Sequence, residues 1–592
     1  MGVCQLTFTT APVAAPSRPC ACATTGDRVR QLSYHGPFEH TPALGLRPGA
    51  ASAAMSRAAR ALREALEHHL QGEARARLQR MRDADDFGEP TSRRQGRWLM
   101  SEGAAEALAE ARAQGELGQQ GSVLMEQQLR FVEYGFGRRS AERVLRRGLG
   151  GLEDAIGAPL RLEDLLPQIA SADDEKRRGE EAQRVERALR PLAEQYAEAS
   201  ARAERPFLER VEQAPSPPVY EPPRSAGGLL LASSMDEAIG AAAALDLPGL
   251  RALAPQASAA KDSARSGDKS SAGRRFALDD TEMDAVRHFL HETQAALEDA
   301  VRFCARGFSA EFPLPWDVLL RALRGPELDS DSGARQRWRR VARWLRGLGF
   351  EREMGARLRA EVDRGGLLPV ATHALCQLPR EVRVAQMTGD LGVASDLFAA
   401  GGVGSALGWA LVTPSLPAER RWPLLGGCAR ALGGLAVELW ADRQHLERIQ
   451  GMSGPAAERV GRLAATILLV SVRFDCALSL VELDPEARVR DRLGVLADAL
   501  SKAVGASLPP SIAGLLAGDR VAARARARAA LSGLALHVVL RERFDEDFFR
   551  NPRVAEPLRV ACGRGNGLDG GAFCAELGGT LEAAADRIHE LL

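Results

Sequence analysis

The sequence predicts a large, mainly α-helical fold, and three observations support this prediction. Aromatic residues make up only 5% of the 592 residues, although hydrophobic residues make up 45%. Aromatic and β-branched residues favour strands, so their scarcity beside abundant Ala, Leu and Arg favours helices. Apolar residues recur at helical spacing through much of the chain, as they do from Met283 to Cys304. A chain of this length can bury one very large core or several ordinary ones.

The first 54 residues differ from the rest of the chain. Residues 1–54 are rich in Pro, Thr and Gly and have no helical period, which begins only after Met55. We expect this stretch to be a disordered leader, or to precede a true translation start at Met55. Both interpretations stay open. No basic segment followed by an unbroken apolar stretch stands at the amino terminus, so a secretory signal is not predicted.

Three further regions follow from composition. Residues 56–211 contain successive amphipathic patterns and are predicted to form an amino-terminal helical half. A cluster of prolines between residues 215 and 223 excludes a helix interior. Together with a Ser-, Lys- and Gly-containing stretch further on, it predicts a linker and mobile insertion over 212–276. The helical pattern then returns, and 277–592 is predicted to be a second helical domain.

Charge and cysteine content limit the partners. Lys plus Arg number 78 and Asp plus Glu number 78, whereas nucleic-acid binders carry a basic surplus. The nine cysteines include no Cys-x-x-Cys pair, which predicts reduced thiols and a cytoplasmic location. The longest apolar run, 463–472, is followed at once by Arg473 and is too short to cross a bilayer. We therefore expect no nucleic-acid partner and no membrane span.

One segment departs from the helical pattern. In Glu381–Met387, Val382 and Val384 alternate with Arg383. Such alternation is typical of a short, half-exposed strand. One or two short strands are therefore expected within the otherwise helical fold.

The segment Gly401–Gly408 reads Gly-Gly-Val-Gly-Ser-Ala-Leu-Gly within a predicted helix. Its surroundings resemble the catalytic region of the oligoendopeptidase F and thimet oligopeptidase group of helical zinc metallopeptidases. The resemblance includes Pro379–Val384, Arg430–Ala436 and the acidic, aromatic segment Phe544–Pro552. It implies a large helical, zincin-type fold with two helical halves around a deep central cleft. It also implies that Val382, Arg383 and Val384 form an edge strand to which a peptide adds as a further strand.

The resemblance also identifies where the catalytic residues would stand. In that group, two histidines at i and i+4 bind zinc, and the glutamate after the first histidine activates water. The first histidine corresponds to Gly401, the glutamate to Gly402 and the second histidine to Ser405. The third ligand, on a second helix, corresponds to Gly433 or Gly434. These residues offer zinc only a serine hydroxyl, which is a poor ligand, and no His-Glu-x-x-His sequence occurs elsewhere.

The leading hypothesis is a non-catalytic relative of these peptidases, a pseudoenzyme that has no cofactor and binds a peptide or protein segment in its cleft. A first alternative is an active zinc oligopeptidase with unrecognised ligands, for which His373, Cys428 and His445 are candidates. A second alternative is a helical scaffold with no open cleft, in which the glycines serve helix packing.

A local basic cluster lies further along the chain, at Arg524, Arg526 and Arg528. It is predicted to be a solvated helix face, with a site for an acidic partner as the alternative.

Overall fold

Helices dominate the structure, a computed structural model, in agreement with the fold class predicted from composition and spacing. The structure describes residues 57–82, 98–118, parts of 121–144, 175–211, 280–306, 311–324, 334–362, 372–386, 393–422, 428–483, 487–517, 520–565 and 570–592. The predicted leader 1–54 and linker 212–276 lie outside the described residues, so both remain predictions. All described residues belong to one structural unit, Met55–Leu592.

Three groups of helices follow one another along the chain. The first comprises α1 (Arg57–Arg82), α2 (Glu102–Ala113) and α3 (Glu175–Val211). The second comprises α4 (Asp280–Glu292), α5 (Gln294–Cys304), α6 (Trp316–Arg324), α7 (Ala334–Gly347) and α8 (Glu351–Ala356). The third comprises α9 (Val393–Ala410), α10 (Ala418–Arg421), α11 (Cys428–Ala441), α12 (Arg443–Arg448), α13 (Gly454–Leu480), α14 (Val489–Val504), α15 (Pro510–Ala517), α16 (Arg520–Phe544), α17 (Ala555–Gly563), α18 (Gly570–Glu576) and α19 (Ala583–Leu591). Two 3₁₀ turns, Phe548–Arg550 and Pro552–Val554, join α16 to α17.

The strands form two small sheets, more than the one or two strands expected. In the first, β1 (Leu314–Pro315) pairs in parallel with β5 (Ala506–Ser507). The second contains β2 (Leu358–Val362), β3 (Thr372–Gln377) and β4 (Glu381–Gln386) in the order β2-β4-β3. Strand β4 runs parallel to β2 and antiparallel to β3. The first sheet is formed by residues far apart in sequence, a pairing that local alternation cannot reveal.

Helix α13 lies in the core and contains the apolar run noted in the sequence. Among the described residues it is the one helix long and apolar enough to cross a membrane, with a mean hydropathy of 1.8 in its most apolar window. However, 89% of that window is buried within the fold. The run is therefore the interior helix that its sequence predicts.

Arg473 is a cation inside this interior helix, and only 2% of it is exposed. Its guanidinium donates to the carbonyl of Leu290 at 2.6 Å and to that of Ala503 at 2.9 Å. These carbonyls belong to the last turns of α4 and α14, where helix dipoles place partial negative charge. Thr293 and Gln294 accept its remaining described hydrogen bonds. One buried arginine thus holds the ends of two helices against α13.

Candidate functional site

Helix α9 carries the glycine-rich segment and packs against α11. A Cβ atom placed on Gly404 would lie 2.7 Å from Cβ of Ala436 and 2.8 Å from the carbonyl oxygen of Leu432. A Cβ on Gly408 would lie 2.7 Å from Cβ of Ala429. Real Cβ atoms essentially never approach so closely. Because glycine has no Cβ, the two helices are able to come into backbone contact at these positions. Tight helix packing therefore explains Gly404 and Gly408.

The structure separates the two candidates for the third ligand position. A Cβ on Gly433 would overlap the hydroxyl of Ser405 and lie 2.9 Å from the carbonyl oxygen of Gly401. A Cβ on Gly434 would instead overlap the carbonyl of Ala529 on α16. Position 433 therefore faces positions 401 and 405, whereas position 434 faces a different helix.

The positions to which the resemblance would assign metal ligands thus lie close together, but the residues there do not fit zinc. Gly401 and Gly433 have no side chain, and Ser405 contributes one hydroxyl group. Since structural and catalytic zinc sites are built from imidazole, thiolate and carboxylate groups, this arrangement lacks the required donors. The space is also restricted, because a Cβ on Gly401 would lie 2.6 Å from Cγ2 of Val437. Gly401, Gly402 and Ser405 nonetheless remain partly exposed.

The segment expected to be an edge strand is a central strand, so that expectation is wrong. Val382 aligns with Leu358 of β2, while Val384 aligns with both Ala360 of β2 and His373 of β3. Strand β4 is therefore bonded along both edges. The alternation of Val and Arg correctly indicates which face is buried, since both valines are fully buried. Alternation reports faces and carries no information about edges, and this is the physical reason for the error.

A buried group of ionisable side chains lies further along α11. Among the described residues, Glu438, Asp442 and His537 are the one group of at least three potential metal donors found close together, with ligand atoms within 4.8 Å of one another. Glu438 accepts a hydrogen bond from Nδ1 of His537 at 2.6 Å and from Nε of Arg587 at 2.7 Å. Arg587 also bonds to Asp442. The guanidinium thus occupies the place of a counter-ion between the two carboxylates.

Electrostatics favour an ion network at this group over a metal site. Burial raises the pKa of Glu438, but its interactions with Arg587 and His537 more than offset this effect, and its pKa lies below the usual range. Burial lowers the pKa of Arg587, but Glu438 and Asp442 raise it above its usual range. Both carboxylates therefore face a permanent cation, and a metal ion would have to displace it. We name Glu438, Asp442, His537 and Arg587 the buried ion network.

Sequence reasoning did not identify the buried ion network, although a signal was present. Glu438 stands near the end of α11 and Asp442 directly after that helix, four residues apart in a largely apolar stretch. Acidic side chains on a buried helix require partners, because an isolated charge is very costly to bury. His537 lies in the apolar run Leu534–Leu540, where the same argument applies. Their partner Arg587 is far away in sequence, and only the fold identifies it.

Two candidate ligands of the active-enzyme hypothesis, Cys428 and His445, belong to no group of metal donors found among the described residues. His445 is fully buried among Trp344, Trp440 and Phe549, and burial lowers its pKa to about 3. Cys428 is buried on α11, and neither residue belongs to the one group of metal donors found. The side chain of His373 lies outside the described residues.

The basic cluster on α16 is engaged with the protein itself. Arg526 bonds to Asp475 at 2.9 Å, and Arg528 bonds to Glu282. Arg524 points its Nε towards the carbonyl of Ser479 at 3.4 Å. The expectation of a solvated helix face is therefore wrong for this cluster. Local sequence could not show this, because the carboxylate partners lie on other helices.

Comparisons with known proteins identify a fold. A crystal structure described as an oligoendopeptidase F has 12% identity and a TM-score of 0.50, covering 90% of this chain and 94% of its own. One from Bacillus anthracis str. Ames, also described as an oligoendopeptidase F, has 10% identity and a TM-score of 0.48, covering 87% and 86%. PZ peptidase A with an inhibitor has 11% identity and a TM-score of 0.47, covering 87% and 88%. No family model and no curated protein matches the sequence. The chain thus has a large, mainly helical fold similar to that of oligoendopeptidase F.

Proposed function

We propose that this chain is a non-catalytic relative of the zinc oligopeptidases, a pseudoenzyme that binds a peptide or protein segment. One observation carries the proposal: Gly401, Ser405 and Gly433 converge between α9 and α11, where the resemblance would place three zinc ligands. Their proximity is what the residue correspondence requires, although close packing of α9 against α11 also produces it. The absence of strong donors at these three positions supports the loss of catalysis.

Peptide binding by this protein needs a different strand from the one suggested by sequence. Since β4 is paired on both sides, a peptide that adds as a strand would have to pair with β2 or β3, the outer strands of the described sheet. Gly401, Gly402 and Ser405, which would form the floor of the peptide-binding cleft, are partly exposed. Their exposure supports access of a peptide to this part of the protein. The absence of nucleic-acid partners and a cytoplasmic location remain expectations from composition.

A scaffold without an open cleft is the second candidate, and the contact between α9 and α11 favours it. In this candidate the glycines serve only to bring the two helices together. The Gly402→Trp variant distinguishes the two, because it adds a bulky side chain to the partly exposed floor. We expect it to weaken binding of a mixture of fluorescein-labelled decapeptides, measured by anisotropy. If the folded Gly402→Trp variant binds the peptides as well as wild type does, peptide binding at this floor is excluded. If the wild type binds none of the peptides, the scaffold is favoured.

Metal content is the first test of lost catalysis. We expect elemental analysis of the purified, untagged protein to find well below one zinc per chain. We also expect no peptide cleavage, with or without added zinc. One zinc per chain with chelator-sensitive cleavage would overturn the proposal and support the active-enzyme alternative. In that event, Glu438→Gln and His537→Ala would show whether the buried ion network supplies the ligands.

A further inference from the structure

Helix α7 presents a dense positive charge to solvent. Its sequence contains six arginines and no acidic residue. Its apolar side chains Trp344 and Leu345 are fully buried and anchor the helix to the core. Arg339, Arg343 and Arg346 are exposed and stand at i, i+4 and i+7, so they share one face. This face is a row of guanidinium groups about 10 Å long.

Two more exposed arginines lie on a segment that contacts the end of α7. Arg550 and Arg553 belong to the 3₁₀ turns, which pack against the end of α7. A Cβ on Gly347 would lie 3.9 Å from the carbonyl oxygen of Phe549, and one on Gly349 would lie 3.5 Å from Cβ of Pro552. The two segments are therefore in direct contact. We name Arg339, Arg343, Arg346, Arg550 and Arg553 the arginine surface.

Among the described residues, neighbouring carboxylates form no ion pair with the arginine surface, although the exposed Asp545 and Glu546 stand shortly before Arg550. Asp396 pairs with Arg340, which is not part of the surface, at 3.5 Å. Glu353 pairs with Arg559 at 2.9 Å, and Asp547 pairs with Arg448.

Within the described residues, the five arginines of the surface form no ion pair, and Arg343 makes one hydrogen bond, to the carbonyl of Ile449 at 3.2 Å. Elsewhere, Arg63 pairs with Glu419 and the buried Arg178 pairs with Asp317. In a chain of zero net charge, this surface is a local excess.

We propose that the arginine surface binds an acidic segment of a partner protein, one with several closely spaced Asp or Glu side chains. Guanidinium groups present planar pairs of donors that match carboxylates. A nucleic acid is disfavoured because single strands need exposed aromatic rings for stacking, and the exposed large hydrophobic residues described are Val495 and Val560.

A fluorescein-labelled decaglutamate peptide tests the proposal on the full chain by anisotropy. The triple variant Arg339→Gln, Arg343→Gln, Arg346→Gln removes three charges from the surface. The control Arg60→Gln, Arg187→Gln, Arg459→Gln removes three charges from exposed positions on other helices. We expect the surface variant to bind about tenfold more weakly and the control about as well as wild type, because each exposed ion pair contributes little and three must act together.

Thermal melting checks that both triple variants are folded, which we expect because the substituted arginines are exposed. Binding should also weaken as salt is raised, since exposed charges are screened. An equal loss in the two variants would identify general charge attraction and overturn the proposal, as would an absence of binding by wild type. Tighter binding of a labelled single-stranded decanucleotide through the same arginines would also overturn it, by identifying nucleic acid as the occupant.

Discussion

Helix α11 is held by backbone contact in one half and by buried charges in the other. Around Gly433 and Gly434 it meets α9 and α16 without intervening side chains. Near the end of α11 Glu438, and just beyond it Asp442, meet His537 and Arg587 in the buried ion network. The first half lies where the family resemblance places the metal. The second half contains the titratable groups, at positions to which the resemblance gives no role.

This difference shows that the two parts of this region are stabilised by separate physical causes. The absence of side chains at positions 401, 404, 408 and 433 allows α9 and α11 to approach, so dispersion contacts between the two helices stabilise the first part. The buried ion network cannot be simplified in this way, because removing one member would leave others charged and buried. We therefore expect substitutions in the two halves of α11 to differ in size and in kind.

The largest effect is expected from Arg587→Met, in the half held by charges. This change leaves Glu438 and Asp442 buried without their cation, and breaking a buried ion pair from one side costs about 3–5 kcal/mol. Chemical denaturation measures the free energy of unfolding. The matched control is Arg490→Met, because Arg490 pairs with Glu194 at an exposed site and should contribute less than about 1 kcal/mol. Equal losses in the two variants would contradict the assigned role of the network.

The second effect tests the half held by backbone contact. Gly408→Val places a Cβ against the backbone of Ala429, so α9 and α11 must separate. Overpacking of this kind costs about 1–3 kcal/mol, and sometimes more. Gly179→Val is the control, because a Cβ there meets no atom within 4 Å. The same free energy of unfolding for both variants would contradict the tight contact between α9 and α11 at Gly408.

The third effect is a pH dependence at the edge of the buried ion network. Hydrogen bonds from Arg541 and Arg587 outweigh burial and lower the pKa of Glu590 to about 2. The unfolded value is about 4.3, so the folded state gains stability above that pH and loses it as pH falls towards 2. Glu590→Gln should therefore flatten the acid limb of the stability curve. An acid limb identical to that of wild type would contradict this assignment.

Much of the fold was predictable because its causes are local. Helical spacing predicted the main class, and the apolar pattern that starts at Met283 falls within α4, which begins at Asp280. The strand at Glu381 was also predicted, because alternation is visible within a few residues. The partners of that strand were not predictable, since pairing with β2 and β3 depends on contacts that alternation does not encode.

The candidate site divides in the same way. The resemblance assigned ligand positions to 401, 405 and 433 or 434, and this assignment stays a prediction. Of the last two, only 433 directs a Cβ towards α9. The buried ion network escaped sequence reasoning, since Arg587 lies on the last helix and becomes a partner of Glu438 only after folding. The arginines on α16 illustrate the opposite error. A local basic pattern suggested exposure, but distant carboxylates pair with two of its three members.

The smallest expected effect distinguishes glycines that the fold requires from those that it tolerates. Gly494 lies within α14, and a Cβ there meets nothing within 4 Å. Alanine is favoured over glycine inside helices by about 0.5–1 kcal/mol, because glycine loses more backbone entropy on folding. Gly494→Ala should therefore stabilise the protein by about this amount in chemical denaturation. Gly404→Ala makes the same substitution where a Cβ would meet α11, and should destabilise. Stabilisation by both would show that helix propensity, rather than contact between α9 and α11, decides the effect of these glycines.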